Sequence, residues 1–354
     1  MTSSAVAFRG VTGLRFGDEV IVVSVASAAA AAMRPVLDFV QPHFELTAPL
    51  RRADAAVFLE FVERSQWSRP AEEGERTLVR RRTPGKHVFG ERWRVDGRTI
   101  LHVPSSDAVF DLADDGRQAT VYVSSGSRYH ASDLLRDIMW ELAAPHGTFL
   151  HAAAVSAPFG AIAVTGPKGA GKTTTALDLM YAGCGSYTGD VLFLADGANQ
   201  AYSFPDYPHV GWGTLRSFPD LFATVTSEGL TPSSDQDKVL LPFDLYQKVV
   251  GVGQAQPPLP LRVVVVPDVT ADGPAEIAPT QPRPDLLAPM ARQTSDPGQG
   301  WEPFLQQIRT RAAARHPAAA RIRWLDAGHD LRWFARRGTG RLPAGQLRAL
   351  LRSH

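Results

Sequence analysis

The chain has 354 residues, a formal net charge of +1, 44% hydrophobic residues and 21% charged residues. This length predicts two domains, or one domain with a substantial attachment. The nearly balanced charge gives no overall field to attract nucleic acid or an acidic membrane surface. A single cysteine, Cys184, excludes a disulfide framework and a cysteine-rich zinc site. The most apolar early stretch, residues 20–33, is too short to span a bilayer, and the N-terminal segment lacks a signal peptide's basic start. We therefore expect a cytoplasmic protein with no membrane or nucleic-acid partner.

Residues 1–147 are predicted to form a strand-rich α+β module that binds a substrate or a partner. Four strands are expected where apolar and β-branched residues lie between Gly, Pro and Asp clusters. These segments are 18–25, 54–63, 98–103 and 119–125. The module ends with a helix over residues 132–142, whose apolar positions recur at helical spacing before Pro145 and Gly147 stop the run.

From residue 148 to residue 354 the pattern predicts an α/β domain. A short apolar strand over residues 161–166 leads into a glycine-rich loop, and a helix follows from Lys172 to a stop at Gly183. Further segments predict a strand pair or one long bent strand, a fully apolar strand, and a helix with an apolar face. These segments are 186–196, 261–269 and 301–316. The Pro-, Gly- and Asp-rich stretch 267–300 is predicted to be a long surface excursion, interpreted as a mobile lid.

The glycine-rich loop is the strongest functional signal. The segment GPKGAGKTTT matches G-x-x-x-x-G-K-[ST] through Gly166, Gly171, Lys172 and Thr173, in the strand–loop–helix context that this motif requires. The glycines let successive N–H groups point at a phosphate chain, and the helix N-terminus adds partial positive charge. Lys172 can reach the β and γ phosphates, and the Thr173 hydroxyl can bind Mg²⁺. This P-loop, residues 166–173, is predicted to hold a nucleoside triphosphate.

The residues around the P-loop resemble those of a known family. His151 lies fifteen residues before Gly166, and Asp190 lies twenty-four residues after it. This arrangement resembles the C-terminal catalytic domain of HPr kinase/phosphorylase and its serine-kinase relatives, whose fold is related to phosphoenolpyruvate carboxykinase. The resemblance covers about residues 148–330. It implies an α/β P-loop domain of the HPr kinase C-terminal, PEP carboxykinase-like type, preceded by the strand-rich α+β module.

The resemblance implies ATP and Mg²⁺ as cofactors and assigns roles to individual residues. The implied nucleotide-binding residues are Gly166, Pro167, Lys168, Gly169, Ala170, Gly171, Lys172, Thr173 and Thr174. The implied metal ligands are Thr173 and Asp190, and His151, Asp190 and Lys172 form the implied catalytic set. The family's first aspartate, its acid/base group toward the acceptor, is Gly189 here. Either His151 or Asp190 takes the acceptor's proton, or transfer to a hydroxyl has been lost.

Three functions follow from these observations. The first is an ATP-dependent kinase, HPr kinase-like but divergent, that transfers the γ-phosphoryl group to a hydroxyl of a small molecule or peptide, as in natural-product or peptide modification. The second, favoured by Gly189, is a non-catalytic ATP-binding regulatory or scaffold protein. The third is a P-loop ATPase that uses Asp268, at the end of the apolar strand, as its metal ligand. The resemblance also implies a homo-oligomer.

Overall fold

The computed structural model describes most of the chain and divides it into two compact units. The described residues are 10–16, 19–47, 55–81, 87–196, 199–205, 209–230, 238–241, 243–251, 253, 257–270, 272–287, 291–292, 300–315 and 331–352. The first unit comprises Met1–His146 with Thr294–Ala319, and the second comprises Gly147–Gln293 with Ala320–His354. Sheets and helices occur in both units, so the fold is mixed α/β. None of the helices in the described ranges is long and apolar enough to cross a membrane.

The described part of the first unit is built on one nine-stranded sheet. Its strands are β1 (Gly10–Phe16), β2 (Glu19–Val25), β3 (Glu45–Thr47), β4 (Val57–Glu63), β5 (Glu75–Arg81), β6 (His87–Val95), β7 (Arg98–Val103), β8 (Ala108–Ala113) and β9 (Gln118–Val123). They lie in the order β3-β1-β2-β4-β9-β8-β7-β6-β5. The pairs β2–β4 and β4–β9 are parallel, and the other neighbours are antiparallel. The four strands predicted in this part of the sequence are confirmed as β2, β4, β7 and β9.

Three α-helices in the described part of the first unit have buried faces. They are α1 (Ala30–Val40), α2 (Arg128–Ala143) and α8 (Glu302–Arg315). The predicted helix over residues 132–142 is confirmed as α2, and its apolar positions Leu134, Leu135, Ile138 and Met139 are at most 1% exposed. These side chains have the spacing of one helix face, so their burial provides the hydrophobic stabilisation that holds the helix in the unit.

The expected domains and the structural units assign helix α8 differently. The sequence placed this helix in the domain 148–354, whereas it belongs to the first unit. Trp301, just before α8, is fully buried, and its indole N–H donates to a carboxylate oxygen of Asp137 on α2 at 3.0 Å. Arg309 on α8 forms a two-pronged ion pair with Glu141 at 2.7 and 2.9 Å. The apolar face was predicted correctly, but its partner is a helix that lies far away in sequence.

The second unit contains eleven strands and six helices in its described residues. Its strands are β10 (Gly147–Ala157), β11 (Gly160–Thr165), β12 (Gly185–Thr188), β13 (Val191–Ala195), β14 (Gln200–Ser203), β15 (His209–Gly211), β16 (Lys238–Leu240), β17 (Leu259–Asp268), β18 (Glu276–Pro279), β19 (Ala291–Arg292) and β20 (Arg332–Arg337). Its helices are α3 (Lys172–Tyr181), α4 (Trp212–Arg216), α5 (Pro219–Ser227), α6 (Phe243–Val250), α7 (Pro284–Leu287) and α9 (Ala344–Arg352).

Five strands of this unit pair in a closed ring, in the order β10, β11, β17, β14, β13 and back to β10. Strands β11, β17 and β20 are parallel neighbours, and β18 adds an antiparallel edge. The side chains packed between the strands are often alanines, including Ala152, Ala154, Ala161 and Ala163. Small side chains are expected here because the interior of a closed five-stranded ring is narrow.

Strand alternation gives β10 and β11 a second buried face that packs against α3. Ala153, Val155, Ile162 and Val164 join Leu177 of α3 in this core. Burial on both faces explains why the sequences of these strands are continuous apolar runs. The predicted strand over 161–166 and the predicted helix from Lys172 are therefore confirmed as β11 and α3, which places the P-loop between a buried strand and a buried helix.

The pairing of strands shows the structure of two segments whose sequence pattern allowed more than one interpretation. The stretch 186–196 is a strand pair, β12 and β13, interrupted at Gly189 and Asp190. The excursion 267–300 is not wholly a surface lid, because β18 pairs with β20 as part of the sheet and the Ile277 N–H donates to the Gln346 side chain at 2.8 Å. The lid interpretation of residues 288–290 and 293–299 lies outside the described residues.

Candidate functional site

The P-loop has a backbone shape that two of its glycines make possible. Gly169 has φ +87° and Gly171 has φ +99°, values in the left-handed region that residues with a Cβ rarely adopt. A Cβ at Gly171 would also overlap the side chain of Val269, whose Cγ2 would be 2.8 Å away. At Gly169 nothing lies within 4 Å of a Cβ. The sequence motif thus corresponds to a real conformational requirement at Gly171.

Backbone hydrogen bonds hold this loop in place. The Ala170 N–H donates to the Pro167 carbonyl at 3.2 Å, and the Val269 N–H donates to the Ala170 carbonyl at 3.0 Å. The Thr175 N–H donates to the Gly171 carbonyl at 2.9 Å and begins the hydrogen-bonding pattern of α3. The loop is therefore closed by a hydrogen bond of its own and tied to the segment after β17 and to the helix that follows.

Lys172 concentrates positive charge against the loop backbone. Its side chain is only 9% exposed, and Nζ donates to the carbonyls of Gly166 at 2.9 Å and Pro167 at 3.3 Å. Lys168 is exposed on the same loop, as are its neighbours Pro167 and Gly169. An ammonium group held beside exposed loop backbone and a helix N-terminus favours binding of an anion.

The side chains of His151 and Asp190 are in contact beside the P-loop strand. His151 Nε2 lies 2.7 Å from Asp190 Oδ1, and the two side chains are 24% and 34% exposed. The Thr165 hydroxyl donates to the His151 carbonyl at 3.1 Å, and the Ala152 N–H donates to the Asp190 carbonyl at 3.0 Å. Thr165 is the last residue of β11, so these contacts fix the pair next to the start of the P-loop. A carboxylate that contacts one ring nitrogen holds an imidazole in one orientation.

A small cavity connects the P-loop helix with the bend that contains Gly189. It has a volume of about 30 Å³ and is lined by Ala153, Ala154, Thr173, Ala176, Met180, Ser186, Thr188 and Gly189. That volume is enough for about one water molecule. The Thr188 hydroxyl donates to the carbonyls of Val191 at 2.6 Å and Phe204 at 3.1 Å, which fixes the bend. The structure therefore brings Thr173 close to the residues that precede Asp190.

The donor set fits a phosphate chain with a magnesium ion. The loop supplies backbone N–H groups, Lys172 supplies a cation, and the helix N-terminus adds its partial charge. No group of three or more His, Cys, Asp or Glu residues with metal-binding geometry occurs in the described ranges, and the sequence-predicted ligands are the Thr173 hydroxyl and the Asp190 carboxylate. Two protein ligands suit Mg²⁺, which commonly takes its remaining ligands from phosphates and water.

Asp268, the alternative metal ligand of an ordinary ATPase, is engaged in its own turn. Its Oδ1 accepts hydrogen bonds from the Thr270 N–H at 3.2 Å and the Thr270 hydroxyl at 2.8 Å. This arrangement is an Asx turn, which caps the exit from a strand. Pro267, the first residue of the predicted excursion 267–300, still belongs to β17. It pairs with Arg336 of β20 one residue before the strand ends.

A buried ionic cluster behind the loop could not be seen in the sequence. Asp178 of α3 and Arg336 of β20 are fully buried and lie 3.8 Å apart. Asp178 also accepts from the Leu342 N–H at 3.2 Å and lies 3.5 Å from Arg341 Nε. Burial raises the pKa of Asp178 to about 6, against the effect of the two arginines. The only sequence signal is a charged residue at an inward position of an amphipathic helix.

A second unexpected contact connects α3 to α4. The hydroxyl oxygens of Thr174 and Thr214 lie 2.9 Å apart. Thr174 was predicted to bind nucleotide, and here its hydroxyl is used to position the segment that begins at Trp212. The sequence offers no signal for this pairing, since the two threonines are forty residues apart.

No protein-family model matches this sequence, and no curated protein matches it. The interpretation of the site therefore rests on the motif, its structural context and the contacts described above.

Proposed function

We propose that this chain is an ATP-dependent phosphotransferase of the HPr kinase type, with a PEP carboxykinase-like P-loop fold in its second unit. It transfers the γ-phosphoryl group to a hydroxyl of a small molecule or peptide. The observation that carries the proposal is the P-loop between β11 and α3, with the His151–Asp190 pair fixed beside its first residue. We also propose that the chain forms a homo-oligomer in the cytoplasm.

The P-loop residues bind and orient the phosphates in this proposal. Backbone N–H groups between Gly166 and Thr173 donate to phosphate oxygens, and Lys172 exchanges its contacts with the loop carbonyls for phosphate oxygens. Because the ammonium is already held at the loop, little side-chain freedom remains to be lost on binding. The Thr173 hydroxyl and the Asp190 carboxylate would hold the Mg²⁺ ion.

Mg²⁺·ATP supplies an activated γ-phosphoryl group whose transfer depends mainly on alignment and charge stabilisation. His151 moves the acceptor's proton. Its Nε2 faces Asp190, so with Nε2–H donated to the carboxylate the lone pair lies on Nδ1, which accepts the proton of the hydroxyl. Asp190 stabilises the resulting imidazolium. General base catalysis of this kind contributes about 10²- to 10⁴-fold.

A non-catalytic ATP-binding regulator or scaffold is the second candidate. Gly189 favours it, because this residue carries no side chain at a position where the resemblance implies a carboxylate, and the adjoining cavity is lined mostly by small side chains. The P-loop ATPase with Asp268 as metal ligand receives less support, since that carboxylate already caps its own turn.

The test uses the whole chain, Mg²⁺ and γ-labelled ATP, with and without a small-molecule and peptide extract of the source cells. Label is followed to free phosphate and to new species. The variant Lys172→Met keeps the length of the side chain and removes its charge. Gly189→Asp asks whether restoring a carboxylate raises transfer.

If the chain is a kinase, label should move to a new species only when the extract is present and only in variants that keep Lys172. Tight ATP binding with no transfer from the wild type or Gly189→Asp would support the regulatory protein and overturn the kinase. Label released only as phosphate, with loss in Asp268→Ala and not in Asp190→Ala, would support the ATPase.

A further inference from the structure

Residues 64–74 form a strap across one face of the first unit's sheet. They connect β4 to β5, and strands β9, β8, β7 and β6 lie between these two in the sheet. Phe110 of β8 packs against Trp301, just before α8, with ring centroids 5.1 Å apart. Phe110 pairs with Leu101 of β7, so His102, the next residue of β7, points to the opposite face. The strap crosses that face, about 24 Å of sheet at one strand spacing per step.

Aromatic packing and one indole hydrogen bond hold the strap on the sheet. Trp67 of the strap packs against His102 and Trp93, with ring centroids 5.4 and 6.1 Å apart. The Trp93 indole N–H donates to the Glu72 carbonyl at 3.0 Å. A Cβ at Gly74 would lie 2.7 Å from the Trp93 ring. The strap therefore covers Trp93, which is only 5% exposed.

Two ion pairs join the strap to carboxylates on either side of His102. Arg64 Nε lies 2.8 Å from Asp107 Oδ1, and Arg69 Nη2 lies 2.8 Å from Glu91 Oε1. His102 Nδ1 is 3.8 Å from Glu91 Oε2, and its Nε2 is 3.8 Å from Asp107 Oδ1. Neither ring nitrogen has a hydrogen-bond partner among the described residues. Since two arginines already balance the two carboxylates, a proton on His102 adds a positive charge without a counter-charge of its own.

The closed strap disfavours the protonated form of His102. Burial and the charge of Arg64 hold the pKa of His102 below its usual value of 6.5, and Arg69 adds to this effect. Glu91 and Asp107 act in the opposite direction but do not cancel it. When the strap lifts, the ring gains water and the two arginines move away, so the open form takes up the proton more readily. Closure is therefore strongest above about pH 6.5 and weakens as the pH falls.

We propose that the strap is an acid-sensitive cover, which opens when His102 is protonated and exposes Trp93. Phe89 and Val95 lie on the same face of β6 as Trp93, and they are already 42% and 44% exposed. Opening joins the three side chains into one apolar stripe along β6, and contiguous apolar surface of this kind marks an interaction site. This inference concerns the first unit alone and does not depend on the proposed nucleotide site.

The test follows exchange of the Trp93 indole proton with water in the whole chain, labelled with ¹⁵N-tryptophan and observed by NMR. The chain has seven tryptophans, and Trp93→Phe assigns the resonance. Rates are measured at about pH 5.5 and about pH 7.5 in the wild type, His102→Gln and His102→Phe. The second variant keeps a ring against Trp67 without a titrating group. The matched control is His87→Gln, which removes an exposed histidine at the start of β6.

Dividing the wild-type rate by the rate of a His102 variant at the same pH removes the intrinsic pH dependence of exchange. We expect this ratio to be larger at the lower pH, by about 10-fold for each unit between the His102 pKa values of the closed and open forms. His87→Gln should behave as the wild type. The Trp301 indole, which donates to Asp137 in the same unit, should exchange equally in all these proteins.

Three results would overturn the inference. The first is a ratio that is the same at both pH values. The second is a parallel rise for Trp301, because acid would then loosen the whole unit. The third is an NMR titration that gives His102 a pKa above about 6.5, because the closed strap would then favour the protonated ring.

Discussion

Replacing Gly171 with alanine should destabilise the second unit much more than replacing Gly169. Both glycines have left-handed φ, +99° and +87°, but only a Cβ at Gly171 meets another side chain, that of Val269. The pair therefore separates the cost of backbone strain from the cost of steric overlap at two positions in one loop.

The expected loss of stability in each variant follows from the backbone strain and the steric overlap. A left-handed residue with a Cβ costs about 1–2 kcal/mol, and restricting the unfolded chain returns about 0.4–1 kcal/mol. Gly169→Ala should therefore lower the free energy of unfolding by about 1 kcal/mol. At Gly171 the overlap with Val269 adds about 1–3 kcal/mol, for a total of about 3 kcal/mol.

Urea unfolding of the two variants and the wild type, followed by far-UV circular dichroism, measures these differences. The second unit's size implies a shift of about 2–4 °C in Tm per kcal/mol, so a thermal melt should rank the variants in the same order. Equal destabilisation by the two alanines would refute the reasoning, because it would mean that Val269 does not pack against Gly171 as described.

The remaining predictions concern the catalytic pair, the buried carboxyl and the first unit. Asp190→Asn removes the carboxylate beside His151, so the transfer rate should fall about 10²- to 10⁴-fold with little change in Tm; an unchanged rate with labelled ATP would exclude the pair from catalysis. Because burial raises the pKa of Asp178 from 3.8 to about 6, the folded state binds its proton more tightly. The free energy of unfolding should then fall by about 3 kcal/mol as pH rises through that range, and urea titrations should show a weaker slope in Asp178→Asn. Trp301→Ala should destabilise the first unit by about 3–5 kcal/mol, which a shift in its urea midpoint would show.

The strands and helices that the sequence predicted are those whose pattern is set locally. Strand β11 and helix α3 are marked by a continuous apolar run, a glycine-rich loop and a glycine stop at Gly183, which has φ +103°. Helix α8 was also predicted, because its apolar spacing is local. Its assignment to a unit depends on the Trp301–Asp137 contact across 164 residues, and no local pattern encodes that distance.

The candidate site likewise has features that the sequence predicted and features that it did not. The P-loop could be found because the motif lies in one short segment, and the requirement for glycine at position 171 follows from its backbone conformation. The spacing of His151 and Asp190 indicated a relation that the structure realises as a 2.7 Å contact. The Asp178–Arg336 cluster arises from the pairing of β17 with β20, which sequence periodicity does not reveal.

Titration of Mg²⁺·ATP into the whole chain, in the wild type and in Lys172→Met, tests the central claim most directly. Circular dichroism first establishes that the variant is folded. The account predicts saturable binding to the wild type with one nucleotide per chain, and at least about 10-fold weaker binding to the variant, because the buried ammonium beside the Gly166 carbonyl is lost. Equal affinities, or no binding to the wild type, would contradict the claim that this loop is a nucleotide site.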